Sequence, residues 1–279
     1  MSTIAELCAK YLLECAKGDS QQNVLTRLQG EPIGKVKAPG TSREYIQHCR
    51  LRRASVAPST VLQDVVYLRG VLSYAKPGWG MDNVTDEPLR DAMPILRKEG
   101  LIGTSRRRQR NPTPEEISAI VTYFAGHWMA DMVLFLYLST RRVSEACRLQ
   151  RGDLNESKLT ILVRDMKHPT RKIGNHKQVA LPDGAFDVLM RQQRHSASKE
   201  ERFFPRRPGT VEAAFRKATA ALKIEDLHLH DLRRGGTTLL LREGRTPQEI
   251  MLVTGHETPL LAMTTYNGMK AEDFHRRAA

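Results

Sequence analysis

In the last third of the chain, His230-Asp231-Leu232-Arg233 is followed by Gly255-His256 and then by Tyr266. Upstream, Arg142 stands in Thr140-Arg141-Arg142-Val143-Ser144-Glu145. Arginine stays charged at any working pH, and its planar fork matches phosphate oxygens two at a time. Histidine moves a proton near neutrality. Tyrosine attacks covalently when a neighbour takes its proton. No cluster of metal-binding carboxylates accompanies these residues. The set therefore suits holding a phosphodiester and attacking it with a phenol, a chemistry that breaks and rejoins DNA.

Each residue also has a plainer explanation. Arg142 and Glu145 can be a surface pair on a helix, worth tenths of a kcal/mol. His256 can cap a helix whose turn Gly255 supplies. Tyr266 is one of seven tyrosines, and most tyrosines are amphipathic core-edge residues. His230 and Arg233, three apart, converge on one helical face. Leu227 and Leu229 before them are consistent with a helix N-terminus, which favours an anion. The order and spacing of the whole set are more specific than any member.

The elements that must position these residues can be read in part from periodicity. Ile4, Leu7, Cys8, Tyr11, Leu12 and Cys15 recur at helical spacing. After a Gly/Pro-rich stretch, Thr41-Ser42-Arg43-Glu44 starts a helix running to about Arg53. Ala57-Pro58-Ser59-Thr60 caps a third, which ends near Lys76-Pro77-Gly78, and a shorter one follows around Glu87 to Leu96. Residues 1–104 thus form a small all-α domain of four or five short helices. Residues 105–112 contain Arg106, Arg107, Arg108 and Arg110 before a proline, a basic extended linker. At Thr113-Pro114-Glu115-Glu116 another helix starts. Residues 113–279 are mixed. Helices are expected near 117–123, 129–138, 185–193, 210–222, 231–243 and 247–253. Two short strands, Leu159–Val163 and Gln178–Leu181, flank a basic connection. The fold class is mainly α with a small β-sheet.

Composition agrees with a polyanionic partner. The 279 residues carry a formal net charge of +13, with 40% hydrophobic residues. Residues 1–112 contribute +7 and residues 113–279 contribute +6, so both halves are basic, as expected of a protein that touches DNA throughout. Arg43, Arg50, Arg52 and Arg53 on one helix, and the four linker arginines, are the candidate DNA contacts; a solvated charged face is the plainer account. Cys8, Cys15, Cys49 and Cys147 show no CxxC spacing, so no zinc or redox motif is indicated. The N-terminal segment, with Glu6 and Glu14, resembles neither a signal peptide nor a membrane span.

Arginine, a lysine between two strands, HxxR, Gly-His and a tyrosine in the last 20 residues, in that order, resemble the tyrosine recombinase (phage integrase) family. The stretch RKATAALKIEDLHLHDLRR is similar to its integrase and shufflon-type members, and APSTVLQDVVYLRGVLSYA to the family's core-binding domain. The resemblance implies that Arg142 and Arg233 clamp the scissile phosphate and that His256 hydrogen-bonds to it. It implies Tyr266 as the nucleophile that becomes a 3′-phosphotyrosine, with His230 assisting proton transfer and Glu145 supporting the cluster. Lys167 would protonate the departing 5′-oxygen; Lys172 and Lys177 compete for that role. No metal or other cofactor is implied. The implied partners are double-stranded DNA, three further copies of the chain on two DNA sites, and accessory DNA-bending proteins. The implied setting is the cytoplasm, at the nucleoid, of bacterial or phage origin. A catalytically silent DNA-binding regulator and a type IB topoisomerase are the alternatives. The sequence departs from the family where Thr140 stands in place of a usual glycine, where Arg234 replaces a common histidine, and in ten rather than nine residues from His256 to Tyr266.

Overall fold

The computed structural model describes residues 2–15, 18–105, 108–167, 173–195 and 200–258. The chain divides into two compact units, Met1–Arg107 and Arg108–Ala279.

The first unit is all helix: α1 (Ile4–Glu14), α2 (Asp19–Gly30), a 3-10 turn (Pro32–Lys35), α3 (Ser42–Arg53), α4 (Pro58–Trp79) and α5 (Glu87–Lys98). Thr3 and Thr41 open α1 and α3 with reciprocal caps. Each hydroxyl accepts from the backbone N–H three residues on, and Glu6 and Glu44 accept from the cap N–H in return. The core gathers the apolar faces of these helices around Leu7, Leu25, Leu28, Tyr45, Val65, Leu68, Leu72, Leu89 and Leu96. Burying each such side chain contributes about 1.5–3 kcal/mol. The sequence pattern did not resolve α2, because Asp19–Gly30 is mostly polar and starts without a side-chain cap. Two leucines, Leu25 and Leu28, are enough to seat it against α1. Helix α4 also runs through Pro77 to Trp79, and Gly80 ends it at φ 68°. One charge is buried here: Asp64 is held by Arg27 at 2.6 Å and Arg52 at 3.1 Å.

The second unit holds α6 (Pro114–Tyr123), α7 (Trp128–Ser139), α8 (Val143–Ala146), β1 (Leu154–Asn155), β2 (Thr160–Val163), β3 (Lys177–Ala180), α9 (Asp183–His195), α10 (Pro208–Ala221), α11 (Leu229–Arg242) and α12 (Pro247–Thr254). The strands form one antiparallel sheet in the order β1-β2-β3, with Val163 opposite Lys177. Helix α7 is apolar nearly all round and lies centrally, against α6, α9 and α11, as a helix buried on every side must be. Its Met132, Phe135 and Leu136 join Ile161, Val179, Leu189, Phe203, Phe204, Phe215 and Leu232 in one core. The mainly α fold with a small sheet is therefore observed, with β1 as an added third strand.

Two local features set the position of α11 against the end of α7. A Cβ on Gly236 would lie 1.8 Å from the Tyr137 carbonyl oxygen, so only glycine permits this approach. It brings the residues one turn earlier on α11 to the end of α7. That end is Thr140, at φ 57°, a left-handed conformation costly for a threonine. Its buried hydroxyl has no hydrogen-bond partner among the described residues. Thr140→Gly is expected to stabilise the protein by about 1 kcal/mol, seen as a higher urea midpoint at unchanged slope. An equal or lower midpoint would show that the threonine is not strained.

Candidate active site

Helix α11 begins with a cap that fixes its first turn. The Asp231 carboxylate, 2% exposed, accepts from the His228 N–H at 2.9 Å. This orients the turn that carries His230 and Arg233. Arg233 is 1% exposed. Its guanidinium donates to the carbonyls of Thr140 and Thr254, and Nη2 lies 2.9 Å from His256 Nε2. Because a guanidinium only donates, His256 accepts through Nε2, and its ring proton sits on Nδ1. His256 follows Gly255, which closes α12 at φ 72°. Arg233 thus ties together the ends of α7, α11 and α12.

Glu145 sits on the other side of the cluster, 2% exposed. Arg142 donates to its Oε1 at 2.7 Å, and the Arg142 N–H to its Oε2 at 3.2 Å. Arg141 Nη1 lies 3.7 Å from Oε2. The Arg141 side chain is fully buried and donates to the carbonyls of Ser139 and Val253. The two adjacent arginines therefore divide: Arg141 is internal, while Arg142, with its side chain 23% exposed, reaches the surface. Burial pushes the Glu145 carboxyl up, but Arg141, Arg142 and Arg233 outweigh it and hold the group below the usual carboxylate range. Burial pushes the Arg141 guanidinium down to about 9 against the pull of Glu145.

The histidines feel the same field. Burial, then Arg233, Arg142 and Arg141, push His256 down to about 3. Desolvation, then Arg233 and Arg142, hold His230 below its ordinary value, although its ring reaches solvent. His256 is consequently neutral at any working pH. Its unfolded counterpart takes up a proton as the pH falls through 6.5, so stability is present above 6.5 and is lost as the pH falls toward the folded value. From pH 7 to pH 5 this loss is expected to be roughly 1–2 kcal/mol for His256, with His48 and His230 acting in the same direction. Urea titrations at the two pH values, compared with His256→Asn, measure it; an identical drop in the variant would refute the assignment.

The strand hairpin approaches the same turn. A Cβ on Gly255 would lie 2.6 Å from Met166 Cε, so the residue before Lys167 is packed against the His256 turn. The exposed Lys167 follows at the start of the connection. Lys177 at the start of β3 donates to the Gly255 carbonyl at 3.1 Å and pairs with Glu257 at 3.2 Å. Lys172 lies outside the described residues, as do Arg106, Arg107 and Tyr266.

The structure thus brings Arg142, Glu145, His230, Arg233 and His256 together, with the Lys167 segment beside them. Of the six described arginines named as DNA contacts, five are held by neighbouring groups. Arg43 is exposed. Arg50 forks onto Glu99 at 2.9 and 2.6 Å, Arg52 pairs with Asp64, and Arg53 donates to the Val56 carbonyl. Arg108 is held by Asp226 and Asp231, and Arg110 by Glu116. The sequence pattern also missed the internal role of Arg141, and Gly235-Gly236 inside a helix was the legible sign of close packing. No group of His, Cys, Asp and Glu able to hold a metal ion occurs among the described residues. No described helix is long and apolar enough to cross a membrane.

Residues 111–272 match the model of the phage integrase family. The chain belongs to the phage integrase family, the tyrosine recombinases. It is 25% identical to an integrase of Mycobacterium phage FRAT1, over 85% of this chain and 81% of that protein. It is 24% identical to a putative integrase/recombinase of Haemophilus influenzae, over 99% of this chain and 76% of that one. Among solved structures, the Tn1549 transposon integrase in complex with transposon right end DNA has the same fold. Its TM-score is 0.74 at 15% identity, covering 99% of this chain and 100% of that chain. A lambda integrase tetramer bound to a Holliday junction matches at 0.62 and 14%, covering 93% and 79%.

Proposed function

We propose that this integrase is a site-specific DNA recombinase that cuts and rejoins strands through a 3′-phosphotyrosine, serving integration, excision or inversion of a mobile element or phage DNA. The observation that carries the proposal is the convergence of Arg142, Arg233 and neutral His256 on one spot, braced by the buried Glu145. Two fixed guanidiniums stabilise the charge that develops on the phosphate oxygens, without reorganising as it forms. His256 hydrogen-bonds to the same phosphate. The Tyr266 phenol attacks the phosphorus in line, its proton passing toward His230. The tyrosyl O–P bond forms as the P–O5′ bond breaks, and Lys167 gives the departing 5′-oxygen its proton. A 5′-hydroxyl from a second strand reverses the step on the new partner. One phosphoester replaces another, so no nucleotide or metal is consumed.

The DNA is double-stranded. The working assembly is a homotetramer on two sites, a reading supported by the lambda integrase tetramer bound to a Holliday junction, in the nucleoid of a bacterium or during phage infection, with accessory DNA-bending proteins. The N-terminal helical unit and the linker arginines Arg106 and Arg107 grip DNA around the cleavage site, with Arg43 as an exposed contact. A nicked suicide substrate carrying the site tests this in EDTA. Wild type is expected to give a slow protein–DNA band on a denaturing gel, and Tyr266→Phe none. A band that survives the substitution removes Tyr266 as nucleophile. Tight binding without any band favours a silent regulator. Relaxation of plasmid lacking the site favours a topoisomerase.

A further inference from the structure

The basic linker reads as a strap for DNA phosphates, yet one of its arginines, 35% exposed at the side chain, is engaged by two aspartates. Arg108 grips both oxygens of the Asp231 carboxylate, Nε to Oδ1 at 3.2 Å and Nη2 to Oδ2 at 2.9 Å. Nη1 also donates to Asp226 Oδ1 at 2.9 Å, and Nη2 to the Asp226 carbonyl at 2.7 Å. Its donors thus serve two carboxylates and a backbone oxygen, and the site around it is net negative. A phosphate would have to displace a carboxylate that is 2% exposed. Such a carboxylate, left without its partner, is an uncompensated buried charge.

The gripped groups sit directly before the catalytic turn. Asp231 follows His230, precedes Arg233 by two residues, and holds the first turn of α11 through its bond from the His228 N–H. Asp226 lies in the turn leading into that helix at φ 48°, and Lys223 precedes it at φ 54°. A segment with two left-handed non-glycine residues needs an outside hold to keep one conformation. Arg108 supplies it at the side chain and backbone of Asp226, and Arg110 lies beside it, 3.5 Å from the Glu225 carbonyl and paired with Glu116.

We infer that Arg108 is a positioning residue for strand cleavage: it fixes the turn bearing His230 and Arg233 from the linker, instead of contacting DNA. The inference rests on the recombinase reading. A fork is required, because lysine presents a point charge and cannot bridge two oxygens of one carboxylate while reaching a second. Misplacing catalytic groups by about 1 Å costs up to about a hundredfold in rate.

The test is single-turnover formation of the covalent complex on the suicide substrate, alongside DNA affinity at several salt concentrations, for wild type, Arg108→Ala, Arg108→Lys and Asp226→Asn. Wild type must first form the complex; if it does not on a verified site, the recombinase reading fails before this one is engaged. Given an active wild type, Arg108→Ala is expected to cleave at least about tenfold more slowly at saturating DNA. Its affinity should stay within twofold and its salt dependence unchanged. Lysine should recover part of the rate, and Asp226→Asn, which loosens only the outer arm, should lie between. A phosphate contact would instead weaken binding and lower the salt slope by about one, with the rate at saturation preserved. That outcome, or wild-type behaviour of Arg108→Ala in both assays, overturns the inference. If Arg108→Ala melts early, the same rate-against-affinity split in Arg108→Lys and Asp226→Asn decides.

Discussion

Replacing Arg233 by alanine is expected to slow covalent-complex formation by about 10³-fold or more, the scale on which a single arginine acts at a transferring phosphoryl group, while DNA affinity changes only a few-fold. The side chain is placed for this. It is withdrawn from solvent, anchored on the Thr140 and Thr254 carbonyls, and in hydrogen-bond contact with His256. In the proposed mechanism its removal therefore takes away one phosphate clamp and the brace of a second phosphate ligand together. Arg233→Lys keeps the charge but not the fork, so it should recover little. Burst kinetics on the suicide substrate, with a melting curve to show that the variant is folded, measure the effect. An alanine variant cleaving within tenfold of wild type would exclude Arg233 from the transition state.

The largest effect on stability is expected at Glu145. Its carboxylate is the shared counter-ion of Arg141 and Arg142, at 3.7 and 2.7 Å. Removing one partner from a buried ion pair costs about 3–5 kcal/mol, because the other charge remains without compensation. Glu145→Ala should fall in that range by urea denaturation. Glu145→Gln preserves shape and one acceptor and should lose less. If alanine costs under about 1 kcal/mol, as surface pairs do, then Glu145 is no internal brace and Arg141 is compensated elsewhere.

How far the sequence could be read depended on the range of each interaction. His230 and Arg233 were legible together because their spacing is one helical turn. Thr41-Glu44 and Thr113-Glu116 announced helix starts because both halves of each cap lie within four residues, whereas the Thr3-Glu6 cap of α1 went unread beside its apolar period. Helix α2 was not legible, since its two buried leucines give no sustained period, and β1 is only two residues long. Between Arg141 and Arg142 the sequence offered only the distance to Glu145. Which one faces solvent depends on Val253, more than a hundred residues away. The linker arginines show the same limit. A run of like charges reads as a solvated or DNA-facing surface, and nothing local reveals that Arg108 meets Asp226 and Asp231.

The tether from Lys177 to Gly255 has a consequence for how the enzyme engages its substrate. Lys177 anchors one end of the hairpin to the backbone that carries His256, and Met166 packs the other end against the same turn. The strand that leads to Lys167 and the loop that carries His256 are thereby one mechanical piece. In the proposed mechanism, a shift of β3 carries His256 with it, so the proposed acid and phosphate ligand arrive or withdraw as a pair. Under that mechanism, a half-assembled site, able to hold the phosphate but not to release the leaving strand, is disfavoured by the connectivity.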